Sequence, residues 1–424
     1  MTPGTLATDA VEFPDSHASD PNRIGWMRGA PPPPALLIRF ADDRFFEFPQ
    51  LRWSLSHMRE LVPTANVWRG VREASDLGGG SDLEAAIDAL EFADMQGRTW
   101  SWPASLAGTY TDGIVVLKRG KRMYERYFGA LQPQRPHACF SMTKSYAGTL
   151  AATLIHEGVL DECKPVPFYL PQMSATAYAD ATLRQLLDMQ IGVVYSELYS
   201  DPDAQIWDYA RAGGLLPRPQ NYAGADNFYD FLATLRKEGE HGRAFAYKTV
   251  NTELLCWIMK RVTGIGLADM LSERLWSRLG CEQDGYFCVD SIGVEMGGGG
   301  LNASLRDLAR FGELMRREGE WRGEQLVPAA VVAGIRRGSD PRKFAMAGYT
   351  LLPDYSYRDM WWVAHDELGA FEARGIHGQR LYIAPRAEMV IARFASHPLA
   401  ASAANDPITL PAFRALAQLL MRAQ

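Results

Sequence analysis

The spacing of apolar positions changes character along the chain. Ile114 to Leu117 is a continuous apolar run, Arg119-Gly120 reads as a turn, and Met123, Tyr124, Tyr127 and Phe128 read as a second strand, which predicts a hairpin. From Thr143 the spacing becomes helical, with Tyr146, Ala147, Leu150, Ala151 and Leu154 apolar and Gly158 as a natural stop. Helical spacing dominates from Ala181 to Phe311. Leu183, Leu186 and Leu187 repeat at that period, as do Leu254, Leu255, Ile258 and Val262 before Gly264. Ser304 with Asp307 predicts a capped helix through Leu308 and Met315. Strand character returns at Ala347–Leu352, Met360–Ala364, Leu381–Ile383 and Met389–Phe394, and a last helix carries Phe413, Leu416, Leu419 and Leu420. Strands towards both ends with helices between predict an α/β (α+β) fold, in which one sheet is closed by the two termini around a helical insertion.

A chain of 424 residues with 47% hydrophobic content can bury one large core or two moderate ones. The net charge of −6, without a block of five basic residues, gives no reason to expect a nucleic-acid partner. The N-terminal stretch holds Asp9, Glu12, Asp15, Asp20 and Pro21 and no apolar run, unlike a secretory signal. No stretch approaches the ~20 apolar residues of a membrane span, so no membrane partner is expected. Cys139, Cys163, Cys256, Cys281 and Cys288 are odd in number and show no Cys-x-x-Cys spacing. They read as reduced, mostly buried thiols of a cytoplasmic protein. Residues 1–20 read as flexible, Pro31 to Pro34 as a stiff extended segment, and Phe40 to Trp68, with Phe45, Phe46, Phe48 and Trp53, as an arm that packs on its own core or a partner's. A homodimer is one use of such an arm. Gly78-Gly79-Gly80-Ser81 reads as a boundary.

Candidate chemistry centres on Cys139-Phe140-Ser141-Met142-Thr143-Lys144-Ser145. On a helix starting near Thr143, Ser141 lies at the N-terminal end with Lys144 about one turn away on the same face. The positive end of the helix dipole and burial both favour a neutral lysine, which can take the hydroxyl proton. A capping serine beside a surface lysine fits the same residues. Gly297 to Gly300 reads as a tight turn rather than a phosphate cradle, since no Lys-Ser or Lys-Thr follows it. The eight histidines show no paired spacing, so neither a metal site nor another cofactor is expected, and His156 falls near a helix end. His377, between Gly375-Ile376 and Gly378, marks either a bulge or a site. Tyr247 precedes a helix that Asn251 or Thr252 could cap, and Tyr195 and Tyr199 flank Glu197 in a loop; taken singly, these tyrosines read as packing. Cys139 reads as packing beside Ser141 rather than as a redox group.

In chain order, Phe140-Ser141-Met142-Thr143-Lys144-Ser145, Tyr247-Lys248-Thr249-Val250-Asn251, the glycine run before Asn302-Ala303-Ser304-Leu305-Arg306-Asp307, and Gly375-Ile376-His377-Gly378-Gln379 together resemble the serine β-lactamase and penicillin-recognising superfamily. Within it the chain is most similar to the class-C-like branch of 6-aminohexanoate-dimer (nylon-oligomer) hydrolases. Gly25-Trp26-Met27, Pro31 to Pro34, the segment from Arg52 to Thr64 and Tyr110-Thr111-Asp112-Gly113 extend the likeness from about residue 24 to the C-terminus. The resemblance implies a β-lactamase/transpeptidase-like fold with an antiparallel sheet flanked by helices. It also implies a serine hydrolase acting on a linear amide or small ester through an acyl-enzyme, with the active site between two domains. Residues 1–23 would be a flexible N-terminus, 24–160 and 290–424 the sheet domain with the arm, and 161–289 the mainly helical domain.

Carried over residue by residue, Ser141 would be the nucleophile, Lys144 its proton partner, and Tyr247 the proton relay to the leaving group, its pKa lowered by Lys144. The N–H groups of Ser141 and Ile376 would form the oxyanion hole, and Tyr195, Gly375 and His377 would contact substrate. The chain departs from class C β-lactamases at Thr249, where they carry asparagine, at Arg374, where they carry the lysine of Lys-Thr-Gly, and at Ile376, which replaces a small polar residue. No Glu-x-x-Leu-Asn stretch is evident, so poor β-lactamase activity is expected. A carboxylesterase with little amidase activity, and a non-catalytic ligand-binding protein of the same fold, are the alternatives.

Overall fold

A computed structural model describes residues 12–79 and 83–423. Its centre is an antiparallel seven-stranded sheet. In chain order the strands are β1 (Thr111–Lys118), β2 (Lys121–Tyr127), β3 (Ser356–Arg358), β4 (Trp361–Val363), β5 (Phe371–Gly375), β6 (Gln379–Ala384) and β7 (Met389–Ala395). They lie side by side as β3-β4-β5-β6-β7-β1-β2, so the N-terminal hairpin completes a sheet begun by the C-terminal strands. The hairpin turn has Arg119 at φ 53 and Gly120 at φ 76, both left-handed as a tight turn between twisted strands requires. Ile114, Val115, Val116 and Leu117 have no exposed surface because both faces of the sheet are covered, which explains an apolar run rather than alternation.

Among the longer helices are α1 (Met142–His156), α2 (Val250–Thr263), α3 (Leu305–Arg316) and α4 (Asp406–Arg422). α1 and α3 pack on the sheet, and α4 also lies against it. The Ser304 hydroxyl accepts from the Asp307 N–H at 3.3 Å and donates to the Asp307 carboxylate at 2.7 Å, starting α3 as its sequence predicts. At Gly148 of α1 a side-chain carbon would stand 2.1 Å from the Asp359 carbonyl, so glycine lets this helix seat against the loop before β4. Short helices joined by long irregular segments make up residues 161–249, including Leu183–Leu187, Gln205–Ala212 and Phe228–Thr234. One apolar core runs from Val115 and Ile391 in the sheet through Tyr146 and Leu150 of α1 to Leu187, Phe231 and Leu254. Among the described residues no helix is long and apolar enough to cross a membrane.

The structure corrects several expectations. Ala347–Leu352 is no strand: Gly348 has φ 76, and the segment turns back on itself through Thr350 N–H to Gly348 O and Leu352 N–H to Tyr349 O bonds. β3 was not foreseen, nor was a smaller sheet in the order Thr64–Val67, Gly285–Cys288, Leu301–Ala303, His137–Ala138. Asn251 does not cap α2; it is buried and accepts from the Tyr178 hydroxyl at 3.3 Å. Part of the stretch expected to be flexible, residues 1–11, lies outside the described residues, as do Gly80 and Ser81 of the expected boundary. Within residues 12–23, Ser19 and Pro21 are buried and the Ser19 hydroxyl accepts from Arg52 at 3.0 Å, while most of the other side chains are exposed. The aromatic arm packs on its own chain, with Phe45, Leu51 and Trp53 clustering against Ala210, Leu216 and Tyr286.

Three arginines stand in register across the sheet: Arg374 of β5 opposite Arg380 of β6, and Arg380 opposite Arg393 of β7. Like charges directly opposite are destabilising unless countered. The Asp406 carboxylate, at the start of α4, pairs with both Arg374 and Arg380, and Glu372 takes Arg374 at 3.1 Å. Arg393 relies on neutral acceptors, the Gly378 carbonyl at 3.1 Å and Thr409 at 3.0 Å, and burial pushes its guanidinium down to about 9. Asp406→Asn should therefore lower stability by about 3–5 kcal/mol, the usual cost of stripping the partner from a buried ion pair. Urea unfolding would read this as an early midpoint, and an unchanged midpoint would refute it.

Candidate functional site

The chain reaches Ser141 through the strand His137–Ala138 of the smaller sheet, where the Cys139 N–H donates to Leu301 O at 2.8 Å. Phe140 then adopts φ 45, a left-handed conformation that costs a bulky residue energy and turns the chain sharply into α1. Ser141 sits at the N-terminal end of α1, yet its side chain makes no capping bond. Instead the Lys144 Nζ donates to Ser141 Oγ at 2.9 Å. Lys144 is 1% exposed. The reading of a capping serine beside a surface lysine is therefore excluded by both side chains. Burial brings the Lys144 ammonium down to about 8, while the carboxylates of Glu197 and Glu253 push the other way. Cys139 beside it is fully buried, which pushes its thiol up and away from redox chemistry.

The second partner of Lys144 is the Gly298 carbonyl, which accepts at 2.5 Å. That carbonyl is aimed by Glu253 of α2. Its carboxylate accepts from the N–H groups of Gly297 at 2.9 Å and Gly298 at 2.7 Å, and from the Tyr209 hydroxyl. The glycine run is thus a turn, with two of its N–H groups committed to a carboxylate. Side-chain carbons at Gly297 and Gly298 would strike Cys256 Sγ at 2.2 Å and Thr249 Cγ2 at 2.4 Å. Burial raises the Glu253 carboxyl to about 7 against the pull of these bonds.

Tyr247 precedes α2 and lies with Lys144 Nζ 5.0 Å from its ring centre. Its expected pKa lowering by Lys144 is overturned. Burial, and next the Glu197 carboxylate, hold the phenol well above its ordinary value, and a bond with Ser141 only partly opposes them. The phenol keeps its proton at neutral pH and is a donor. Glu197, which was not foreseen as a site residue, accepts the Thr249 N–H at the start of α2. Burial raises its carboxyl while Lys144 lowers it. Its sequence signal was an acid set between two tyrosines in a loop.

β5 ends against the chain that leads to Ser141: a side-chain carbon at Gly375 would stand 2.7 Å from Cys139 O. This close approach brings Ile376 to the site, where it lines the same two cavities as Ser141. Outside the regular ladders and helices, no acceptor among the described residues takes the N–H of Ser141 or of Ile376. His377 is both a bend, at φ 61, and a cavity wall. Its Nδ1–H donates to His397 O at 2.7 Å, and burial lowers it to about 4, so the ring is neutral. Tyr195 is the exception among the expected contacts. It is buried between Tyr209 and Phe231 and lines neither cavity, whereas Tyr199 lines both. Arg374, at the position of the β-lactamase lysine, lies 4.9 Å from the Trp362 ring centre and is already paired with Glu372 and Asp406.

A nucleophile candidate, a buried amine tuned to about 8, a protonated phenol and the N–H groups of Ser141 and Ile376 together equip this site for acyl transfer. Labelling of Ser141 by a fluorophosphonate should rise as Lys144 loses its proton, with an apparent pKa of about 8. Glu253→Gln removes a charge that favours the ammonium, so it should move that midpoint down. A pH-independent rate, or an upward shift, would contradict the assignment.

Comparison with known proteins adds the following. A family model described as Beta-lactamase matches residues 104–410. A 6-aminohexanoate-dimer hydrolase of Paenarthrobacter ureafaciens is 34% identical over 359 residues, covering 84% of this chain and 88% of that protein. A solved Bacillus anthracis structure, described as a candidate 6-aminohexanoate-dimer hydrolase, superposes with a TM-score of 0.79 at 31% identity, covering 89% of this chain and 96% of that one. A family VIII carboxylesterase shares the fold at a TM-score of 0.54 and 18% identity, covering 72% of this chain and 92% of that one.

Proposed function

The chain belongs to the β-lactamase family and is a hydrolase, and from that premise we propose that it cleaves a linear amide or a small ester through an acyl-enzyme on Ser141. The observation that carries this reading is the 2.9 Å contact between Ser141 Oγ and a fully buried lysine whose pKa is brought down to about 8. In its neutral form Lys144 keeps one N–H on the Gly298 carbonyl and offers its lone pair to the Ser141 hydroxyl. The oxygen attacks the carbonyl carbon as its proton passes to the amine. The N–H groups of Ser141 and Ile376 hold the oxyanion. As the tetrahedral species collapses, Tyr247 donates its proton to the departing nitrogen or oxygen and is reprotonated from Lys144. Water then attacks the ester by the same relay. Five free cysteines support placing this chemistry in the cytosol.

A penicillin-type substrate fits the site poorly. The Arg374 charge that would meet a β-lactam carboxylate is already met by Glu372 and Asp406. Rapid nitrocefin turnover that disappears in Ser141→Ala would refute this. The carboxylesterase reading is favoured by the apolar walls of the larger cavity beside Ser141.

The direct test is chromatography of the linear 6-aminohexanoate dimer, with Ser141→Ala alongside. Monomer should be released by the wild type, and the variant should lose about a thousandfold or more. Tyr247→Phe should lower amide hydrolysis by about 10²–10⁴ but p-nitrophenyl butyrate hydrolysis by less than about tenfold, because p-nitrophenolate leaves without a proton. Equal losses on both would remove Tyr247 from the leaving-group role.

A further inference from the structure

Two cavities meet at Ser141, one of about 490 Å³ and one of about 360 Å³. Ser141, Glu197, Tyr199, Ile376 and Ala401 line both and so mark the junction. Tyr247 lines only the smaller cavity. Since Tyr247 is the donor to the leaving atom in the proposed mechanism, the leaving group belongs in the smaller cavity and the acyl arm in the larger.

The walls of the larger cavity come from separate parts of the chain. Phe46 comes from the N-terminal arm, Phe140 from the turn before Ser141, and Ile206, Trp207, Leu215 and Leu216 from the helix Gln205–Ala212 and the turn after it. Phe46 packs on Phe140 with ring centres 6.1 Å apart. Away from the junction the described residues of this lining offer no charge. His377 is neutral, and the Tyr209 hydroxyl is spent on Glu253. The single carboxylate of the lining, Glu197, stands at the junction, where it already holds the Thr249 N–H and faces Lys144.

We infer that the larger cavity selects an uncharged apolar acyl group, an alkyl or aryl chain of medium length, over one that ends in an ammonium. This rests on the serine-hydrolase reading above. An ω-ammonium chain lying along these walls would give up part of its water without meeting a carboxylate, or would fold back to Glu197 and leave the apolar walls unfilled. A hexanoyl chain gains about three- to fourfold in kcat/KM for each methylene it buries. Phe46 is then a specificity-determining residue supplied by the arm.

The test pairs N-hexanoyl-6-aminohexanoate with the linear 6-aminohexanoate dimer, which share a leaving amine, and repeats the comparison with p-nitrophenyl hexanoate, 6-aminohexanoate and acetate. Hexanoyl should exceed 6-aminohexanoyl by at least about tenfold in kcat/KM in each set. Hexanoate should exceed acetate by at least about tenfold, and Phe46→Ala should shrink that ratio about threefold or more. Equal rates, or faster cleavage of the amino substrates, would overturn the inference and leave the serine mechanism standing. If no substrate is cleaved and a fluorophosphonate fails to label Ser141, the serine-hydrolase reading falls and the inference falls with it.

Discussion

The cost of burying one ammonium group organises this molecule. Lys144 is removed from water on a helix that packs against the central sheet, and desolvation alone would drive it far towards the neutral amine. The two carboxylates that face it, Glu197 and Glu253, restore part of the cationic character and leave it near the pH of a working base. Neither carboxylate forms an ion pair with the lysine. Each is tied to backbone N–H groups, Glu253 to the glycine turn and Glu197 to the start of α2, so their charge acts from fixed positions. The same bonds aim the Gly298 carbonyl at the amine. The glycines, the acid that binds them and the lysine therefore form one device.

The rest of the fold serves to hold that device against a strand end. β5 must reach the chain before Ser141 closely enough that only glycine fits at position 375. β5 is held in turn by a row of buried arginines that α4 neutralises through Asp406. The N-terminal arm closes the other side, and Arg52 reaches into the interior to Asp112 at 3.3 Å. An arm anchored by a buried charge keeps a fixed position, which is what lets Phe46 shape a cavity.

Local signals in the sequence carried a good deal of this. The hairpin at Arg119-Gly120, the helix after Ser141 and the cap at Ser304 depend on neighbours a few residues apart, and all formed as expected. The Ser141–Lys144 spacing is also local. What stayed hidden depends on contacts between distant segments. Glu253 looks like an ordinary helical acid until the glycine turn, more than forty residues on, is laid against it. Tyr195 and Tyr199 are equivalent in a linear reading of the loop, and only the packing of Tyr195 against Phe231 decides that Tyr199 faces the cavity. Ala347–Leu352 has strand-like composition, but Gly348 turns it and β3 takes the sheet edge instead.

The central claim is that acyl transfer passes through an ester on Ser141. Rapid quenching of the enzyme with p-nitrophenyl hexanoate, followed by intact-mass and peptide mass spectrometry, tests it most directly. The account predicts one hexanoyl group per chain, carried on Ser141. A burst of p-nitrophenol without an adduct, or an adduct on another residue, would contradict it.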